Sequence, residues 1–216
     1  MIRRITQLLV GLFLYGISIA FIVRGSLGAA PWDVLTQGLT RQLPLSFGVI
    51  TIMVSAVVLL LWIPIRQRPG IGTVLNALCV GPSADVGLRM IPVAHELWLQ
   101  VLFFVLGLGI LAAATGLYIG ADLGPGPRDG LMTGLHRRLG APIWIVRTAI
   151  EMTVVVIGWL LGGMVGVGTV AFALLVGPLC QFFLRVFAVR RAGGEAAGEP
   201  STPQARSVEG SAGESR

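Results

Sequence analysis

The chain has 216 residues, of which 55% are apolar and only 12% charged, and its mean hydropathy is +0.85, outside the range of water-soluble domains. The formal charge of +6 comes from sixteen basic residues, all Arg. Because they fall mainly at the ends of apolar runs and form no basic face, nucleic-acid binding is excluded as the reading of that charge.

In chain order, apolar stretches at 7–23, 47–65, 71–88, 97–119, 143–161 and 168–189 are each about the 20 residues that a helix needs to cross the hydrocarbon core. They lack the polar/apolar alternation of outer-membrane strands, so six transmembrane helices are expected rather than a barrel. The first run, preceded by Arg3 and Arg4 and followed by Gly28-Ala29-Ala30, also has the outline of a signal peptide. Its length and its internal counterpart at 103–119 favour a retained helix. Between the first and second spans, and again between the fourth and fifth, lie segments 31–43 and 127–139, too short and too polar to cross. Each is expected to be a re-entrant or interfacial helix. After Arg191 the composition turns to Gly, Ala, Glu, Ser and Pro, and a disordered tail is expected over 192–216.

The positive-inside bias orients the chain. With the N-terminus cytoplasmic, Arg3, Arg4, Arg66, Arg68, Arg128, Arg137, Arg138, Arg190 and Arg191 fall on the inner face, and Arg24, Arg41 and Arg89 near the outer one. Both termini are then cytoplasmic. The five Trp, at 32, 62, 98, 144 and 159, are mostly near expected helix ends, as interfacial aromatics are.

Shifted by 96 residues, the sequence aligns with itself from Gly11 to Val93 without a gap. Gly72-Thr73-Val74-Leu75-Asn76-Ala77-Leu78-Cys79-Val80-Gly81-Pro82 lies on Gly168-Thr169-Val170-Ala171-Phe172-Ala173-Leu174-Leu175-Val176-Gly177-Pro178, identical at eight of eleven positions. The chain is therefore read as two membrane repeats, 1–96 and 97–191, each with three spans and one short helix. An odd number of crossings makes the second copy enter from the opposite side, an inverted-topology repeat in agreement with the Arg distribution.

The two breaks, Gly28-Ala29-Ala30-Pro31-Trp32-Asp33 and Gly124-Pro125-Gly126-Pro127-Arg128-Asp129, share flexible glycine, a helix-starting proline and a first-turn carboxylate. Either Asp33 and Asp129 merely start two short helices, or they belong to broken-helix elements of an inverted-repeat transporter, whose ligand sites form near the midplane. Depth decides between the two. Pro82 and Pro178, inside apolar spans, are expected kinks and candidate hinges with Pro31 and Pro127. On the third span, Asn76 and Asp85 are candidate polar contacts for a substrate, with Gly28 and Gly124 at the breaks. Asp85, opposite the neutral Gln181 in the repeat, is either a proton or cation carrier or a group at the outer interface paired with Arg89. Arg147 and Glu151, one helical turn apart, are read as a structural ion pair. Gly116-x-x-x-Gly120 and Gly158-x-x-x-Gly162 are read as packing seams, and Cys79 and Cys180 as small apolar residues. His95 and His136 fall in loops. No paired His or Cys has metal-ligand spacing and no Ser/Cys–His arrangement is visible, so no enzyme, metal or cofactor is expected.

Three segments, Leu27-Gly28-Ala29-Ala30-Pro31-Trp32-Asp33-Val34-Leu35, Gly70-Ile71-Gly72-Thr73-Val74-Leu75-Asn76 with Gly81-Pro82-Ser83-Ala84-Asp85, and Leu123-Gly124-Pro125-Gly126-Pro127-Arg128-Asp129-Gly130, together resemble the bacterial YczE/YitT-like membrane proteins over about residues 5–190. The tail has no counterpart of the soluble C-terminal domain of YitT-type members, so the YczE-type branch is the closer likeness. The resemblance implies a bacterial inner-membrane location and no particular biochemistry. Two readings follow from the architecture: a secondary transporter or exporter of a small molecule, rocking one repeat against the other, or a non-transporting scaffold for a partner enzyme or assembly. The partners expected are the lipid bilayer and a small-molecule substrate, and a homo-oligomer is compatible with either reading.

Overall fold

A computed structural model describes residues 2–187; the tail, with Arg190 and Arg191, lies outside them. The described chain forms eight helices: α1 (Ile2–Gly25), α2 (Pro31–Gln42), α3 (Phe47–Ile65), α4 (Ile71–Met90), α5 (Leu97–Gly120), α6 (Pro127–Leu139), α7 (Ile143–Leu160) and α8 (Val167–Phe187). Among the described residues there is no strand. All except α2 and α6 are long and apolar enough to cross a membrane. Their lipid-facing sides carry large exposed apolar groups such as Leu60, Ile63, Val170 and Leu174, as a bilayer permits and water does not.

Local chemistry sets the helix starts. Pro31 and Pro127 occupy the first helical turns of α2 and α6, where a missing N–H costs nothing. The Ser46 hydroxyl caps α3 by accepting from the Val49 amide, and Thr73 Oγ1 accepts from the Gly70 amide at the start of α4. The starts of α6, α7 and α8 each fall 96 residues after those of α2, α3 and α4. Helix α1 begins well before the apolar run at 7, because its polar first turn through Arg3, Arg4 and Gln7 continues the same helix.

The two break segments carry the non-helical backbone, and every amide and carbonyl there needs a partner inside the protein. Ser26 and Asp122 (φ 56° and 54°) end α1 and α5 in the left-handed region, followed by Gly28 and Gly124 at φ 131° and 119°, a conformation open to glycine. The Gly168 amide at the start of α8 donates to the Leu27 carbonyl, and the Gly72 amide at the start of α4 donates to the Leu123 carbonyl, both at 2.8 Å. Each break is thus held by a helix from the other half of the chain. Thr73 Oγ1 adds a bond to the Pro125 carbonyl at 2.7 Å.

Helix α1 lies at the centre, against α4 and α5, and α5 packs on α8. Small residues permit this: a Cβ on Gly16 would strike Ser83 and Ala84, one on Gly87 would strike Ala20, and one on Gly107 would strike Ile22. Gly116 and Gly120 face Phe183 and Phe187, and Gly158 faces Val34 and Leu35, so these positions act in packing. Gly162 lies beyond α7 in a left-handed turn. Trp98, Trp144 and Trp159 are exposed near helix ends, but Trp32 and Trp62 are buried in a core with Ile50, Val54, Val58 and Leu131. The interfacial expectation fails for these two because Trp32, on α2, packs inward against α3 and α7, and α6 covers Trp62, whose indole N–H donates to the Pro127 carbonyl. His136 belongs to the last turn of α6 rather than to a loop.

Helix α2 packs on α7, its end tied by Gln42 Nε2 to the Leu161 carbonyl at 3.1 Å. Helix α6 packs on α3, its end tied by Arg138 to the Pro64 carbonyl and by Arg137 to Gln67. The N-terminal ends of α2 and α6 meet, and from that point the helices run apart.

One difference separates the related positions Gly81 and Gly177. A Cβ on Gly81 would press on the backbone of Gly48, whereas a Cβ on Gly177 would meet nothing within 4 Å. Gly81→Ala is therefore expected to lower stability by about 1–3 kcal/mol and Gly177→Ala to leave it unchanged, as read from the SDS fraction that unfolds the purified protein. Equal behaviour of the two variants would contradict this packing.

Candidate functional site

Where the ends of α2 and α6 meet, neither N-cap residue, Ala30 or Gly126, supplies a side-chain cap. The first-turn amides of Trp32 and Arg128 have no intrahelical acceptor, and each helix end carries about half a positive charge. Both ends face a cavity of about 300 Å³. Its wall includes Ala30, Pro31, Trp32, Gly126, Pro127, Arg128 and Asp129 from the breaks, and Tyr15, Ser55, Val80, Leu111 and Val176 from near the middle of α1, α3, α4, α5 and α8. The cavity therefore sits at mid-depth in the bundle. Many of its residues come in pairs 96 positions apart: Trp32 and Arg128, Thr51 and Arg147, Ser55 and Glu151, Asn76 and Phe172, Val80 and Val176.

The charges around it are largely matched. The Arg128 guanidinium lies 3.5 Å from the Asp33 carboxylate and 5.3 Å over the Trp32 ring, a cation–π contact. Asp33 is only 1% exposed. Asp129 accepts a hydrogen bond from the Tyr118 hydroxyl at 2.6 Å, and Tyr118 meets the ring of Tyr15 edge-on with centroids 6.0 Å apart. Arg147 Nε donates to Glu151 at 2.8 Å, with the Arg147 side chain 45% exposed.

Helices α3 and α4 pack closely, Gly48 against Gly81. Across that seam the Asp85 carboxylate accepts from Ser46 Oγ at 2.6 Å and from the Gly48 amide at 2.8 Å. The corresponding helices α7 and α8 make no comparable contact among the described residues. Arg147, Glu151, Gln181 and Leu184 line the cavity on that side, so it opens between α7 and α8.

Of the residues singled out from sequence, Asp129, Asn76, Pro31, Pro127, Arg147 and Glu151 line the cavity, and Asp33 lies directly behind Arg128. Gly28 and Gly124 shape the breaks outside it, against Thr169 and against Gly70 and Thr73. Pro82 and Pro178 lie within unbroken helices, on exposed faces. Asp85 is not in the cavity: nine residues after Asn76, it points to the opposite face of α4, and its carboxylate holds Ser46 rather than Arg89. Arg128, counted by sequence with the cytoplasmic arginines, is in the cavity wall, because the helix it begins starts beside the Asp33 carboxylate within the bundle. Trp32, Tyr15, Tyr118 and Cys180 also line it and were not foreseen as site residues. The available signal was register: Trp32 and Arg128 share one position of the 96-residue offset, and Thr51/Ser55 and Arg147/Glu151 share two more. A second groove, between α2, α3, α6 and α7 and lined by residues such as Leu35, Val57, Leu61 and Ile157, is almost wholly apolar and carries no charged side chain with which to select a polar solute.

The profile of a family described as "Family of unknown function (DUF6198)" matches residues 2–185. The chain is 37% identical over 186 residues to an uncharacterized protein of Haemophilus influenzae, covering 86% of this chain and 85% of the relative. It is 29% identical over 186 residues to the uncharacterized membrane protein YczE of Bacillus subtilis, covering 85% and 86%. It is also 23% identical over 181 residues to the Bacillus subtilis protein YyaS, covering 82% and 90%. No solved structure matches. The YczE likeness read from the break motifs is thus carried by the whole membrane part.

The ion pair between the half-helices has a measurable consequence. Arg128→Gln leaves Asp33 buried without its cation and is expected to cost about 3–5 kcal/mol, while Arg128→Gln combined with Asp33→Asn recovers most of it. An SDS unfolding series on the two single variants and the double variant reads the coupling; additive losses would contradict the pairing.

Proposed function

We propose that the chain, which belongs to the DUF6198 family, is a secondary transporter of a small molecule that works by alternating access around the central cavity. The observation that carries this reading is a mid-depth polar cavity closed between α3 and α4 and open between the corresponding helices α7 and α8. Two inverted three-helix repeats make such a pair of seams equivalent by symmetry, so that one opens as the other closes. With the N-terminus cytoplasmic in a bacterial inner membrane, the open seam faces inward and the α3–α4 seam is the outer gate. Asp85 is its clasp, bonded to Ser46 Oγ and the Gly48 amide. The related positions are Gln181, Pro142 and Trp144, which cannot form the same clasp. The outward-open state is reached by losing the Asp85 bonds and bringing α7 onto α8, with Pro82 and Pro178 as the points where α4 and α8 bend. The chain performs no chemistry of its own in this reading.

Cys180 lines the cavity and reports on it directly. In a Cys79→Ala background, a membrane-impermeant maleimide is expected to label Cys180 readily in inside-out vesicles and slowly in right-side-out ones. Asp85→Ala removes charged hydrogen bonds worth about 1.5 kcal/mol or more and should raise the slow rate about tenfold. Labelling from one side only, whatever residue stands at 85, would fit a static scaffold and contradict transport.

A further inference from the structure

The cavity offers complementary groups for both signs of charge. On one wall the uncapped ends of α2 and α6 point their first-turn amides inward. Arg128 stands between them. Its 3.5 Å separation from Asp33 is longer than a charge-assisted hydrogen bond of about 2.7–2.9 Å, which leaves guanidinium donors for another acceptor. Trp32, 7% exposed and on the same wall, has its indole N–H buried with no acceptor among the described residues. These donors call for a carboxylate.

On the adjoining wall Asp129 has no cationic partner among the described residues: its carboxylate accepts from the Tyr118 hydroxyl, and Tyr15 and Phe172 line the same cavity. A carboxylate among aromatic rings calls for an ammonium group. Counting Arg128 and Arg147 against Asp33, Asp129 and Glu151 leaves one excess negative charge, which the two helix ends of about half a positive charge each offset. A near-neutral site with separated poles disfavours a simple anion or cation and matches a dipolar solute. Arg128 and Asp129 both line this small cavity from the first turn of α6, so a solute that meets both carries its two charges within a few ångströms of each other. The volume of about 300 Å³ is at the small end for ligand pockets.

We propose that the site binds a small zwitterion of α-amino-acid type, its carboxylate at the α2 and α6 N-termini beside Arg128 and Trp32, and its ammonium group at Asp129. The assignment names the substrate class of the transporter proposed above and rests on that reading for its physiological role, but not for its binding chemistry.

The test is binding to the purified full-length protein in lipid nanodiscs by calorimetry. The probes are the common L-amino acids, with isopentylamine and 4-methylpentanoate as the one-charge counterparts of L-leucine, and 2-phenylethylamine and 3-phenylpropanoate as those of L-phenylalanine. The expected result is that at least one amino acid binds, that its amine and acid counterparts bind about tenfold or more weakly, and that Asp129→Asn weakens it similarly. Asn still accepts the Tyr118 hydroxyl, so that variant keeps its unfolding transition, and Arg128→Gln with Asp33→Asn removes the carboxylate subsite without stranding a buried charge. Binding of the amine as tightly as the amino acid would make this a cation site, binding of the acid as tightly would make it an anion site, and no binding by any probe, or an unchanged affinity in both variants, would overturn the proposal. Because no flux is measured, a zwitterion that binds while Cys180 stays one-sided would sink transport alone.

Discussion

Two positive helix ends brought together in a low-dielectric interior repel, and the structure depends on how that is offset. Each short helix carries an Asp in its first turn, Asp33 and Asp129, where a carboxylate complements the dipole. Arg128 then links the halves by pairing with Asp33 and lying over Trp32. With a fully buried carboxylate at stake, this pair fixes where α2 stands relative to α6. The cavity is the space the two ends cannot close.

The rest of the bundle follows from satisfying the backbone beside that meeting point. The breaks are non-helical, and their Leu123 and Leu27 carbonyls are taken by the first turns of α4 and α8 from the opposite half. Exchange of this kind makes the halves mutually dependent while leaving their outer helices free to differ. They do differ: Gly48 lies on Gly81 with Asp85 bonded across the seam, whereas Trp144 and Gly177 stand in the related places and α7 stays away from α8. The local sequences explain the closed seam: glycine meets glycine there, whereas a bulky, exposed Trp144 holds the place of Gly48 in its relative.

Much of this was legible in the residues. The six spans and both short helices were given within a few residues by apolar length, Pro placement and the 96-residue offset, since these signals are local. The last span ran to 189 by apolarity, and its final two positions lie outside the described residues. The depth of the short helices was not local: Pro31-Trp32-Asp33 reads alike at an interface and at mid-membrane, and the Arg128 charge suggested a face rather than a centre. Asp85, read either as a carrier or as an outer-interface group paired with Arg89, does not line the cavity: it lies half a turn out of phase with Asn76 and bonds Ser46 across the α3–α4 seam, a partner that spacing along one helix does not reveal. Arg147 and Glu151 were read as a pair from their spacing, and the pair is there, but only tertiary packing places it at the cavity mouth.

The account stands on α2 and α6 entering from opposite faces and meeting at the centre. Single cysteines at Leu45, just after α2, and Leu139, at the end of α6, both at exposed positions, test this in a chain with Cys79 and Cys180 changed to Ala. In whole cells an impermeant maleimide should label Leu45→Cys directly and Leu139→Cys only after permeabilisation. Labelling of both from the same side would contradict the opposed arrangement and, with it, the central cavity as a site reached in turn from each face.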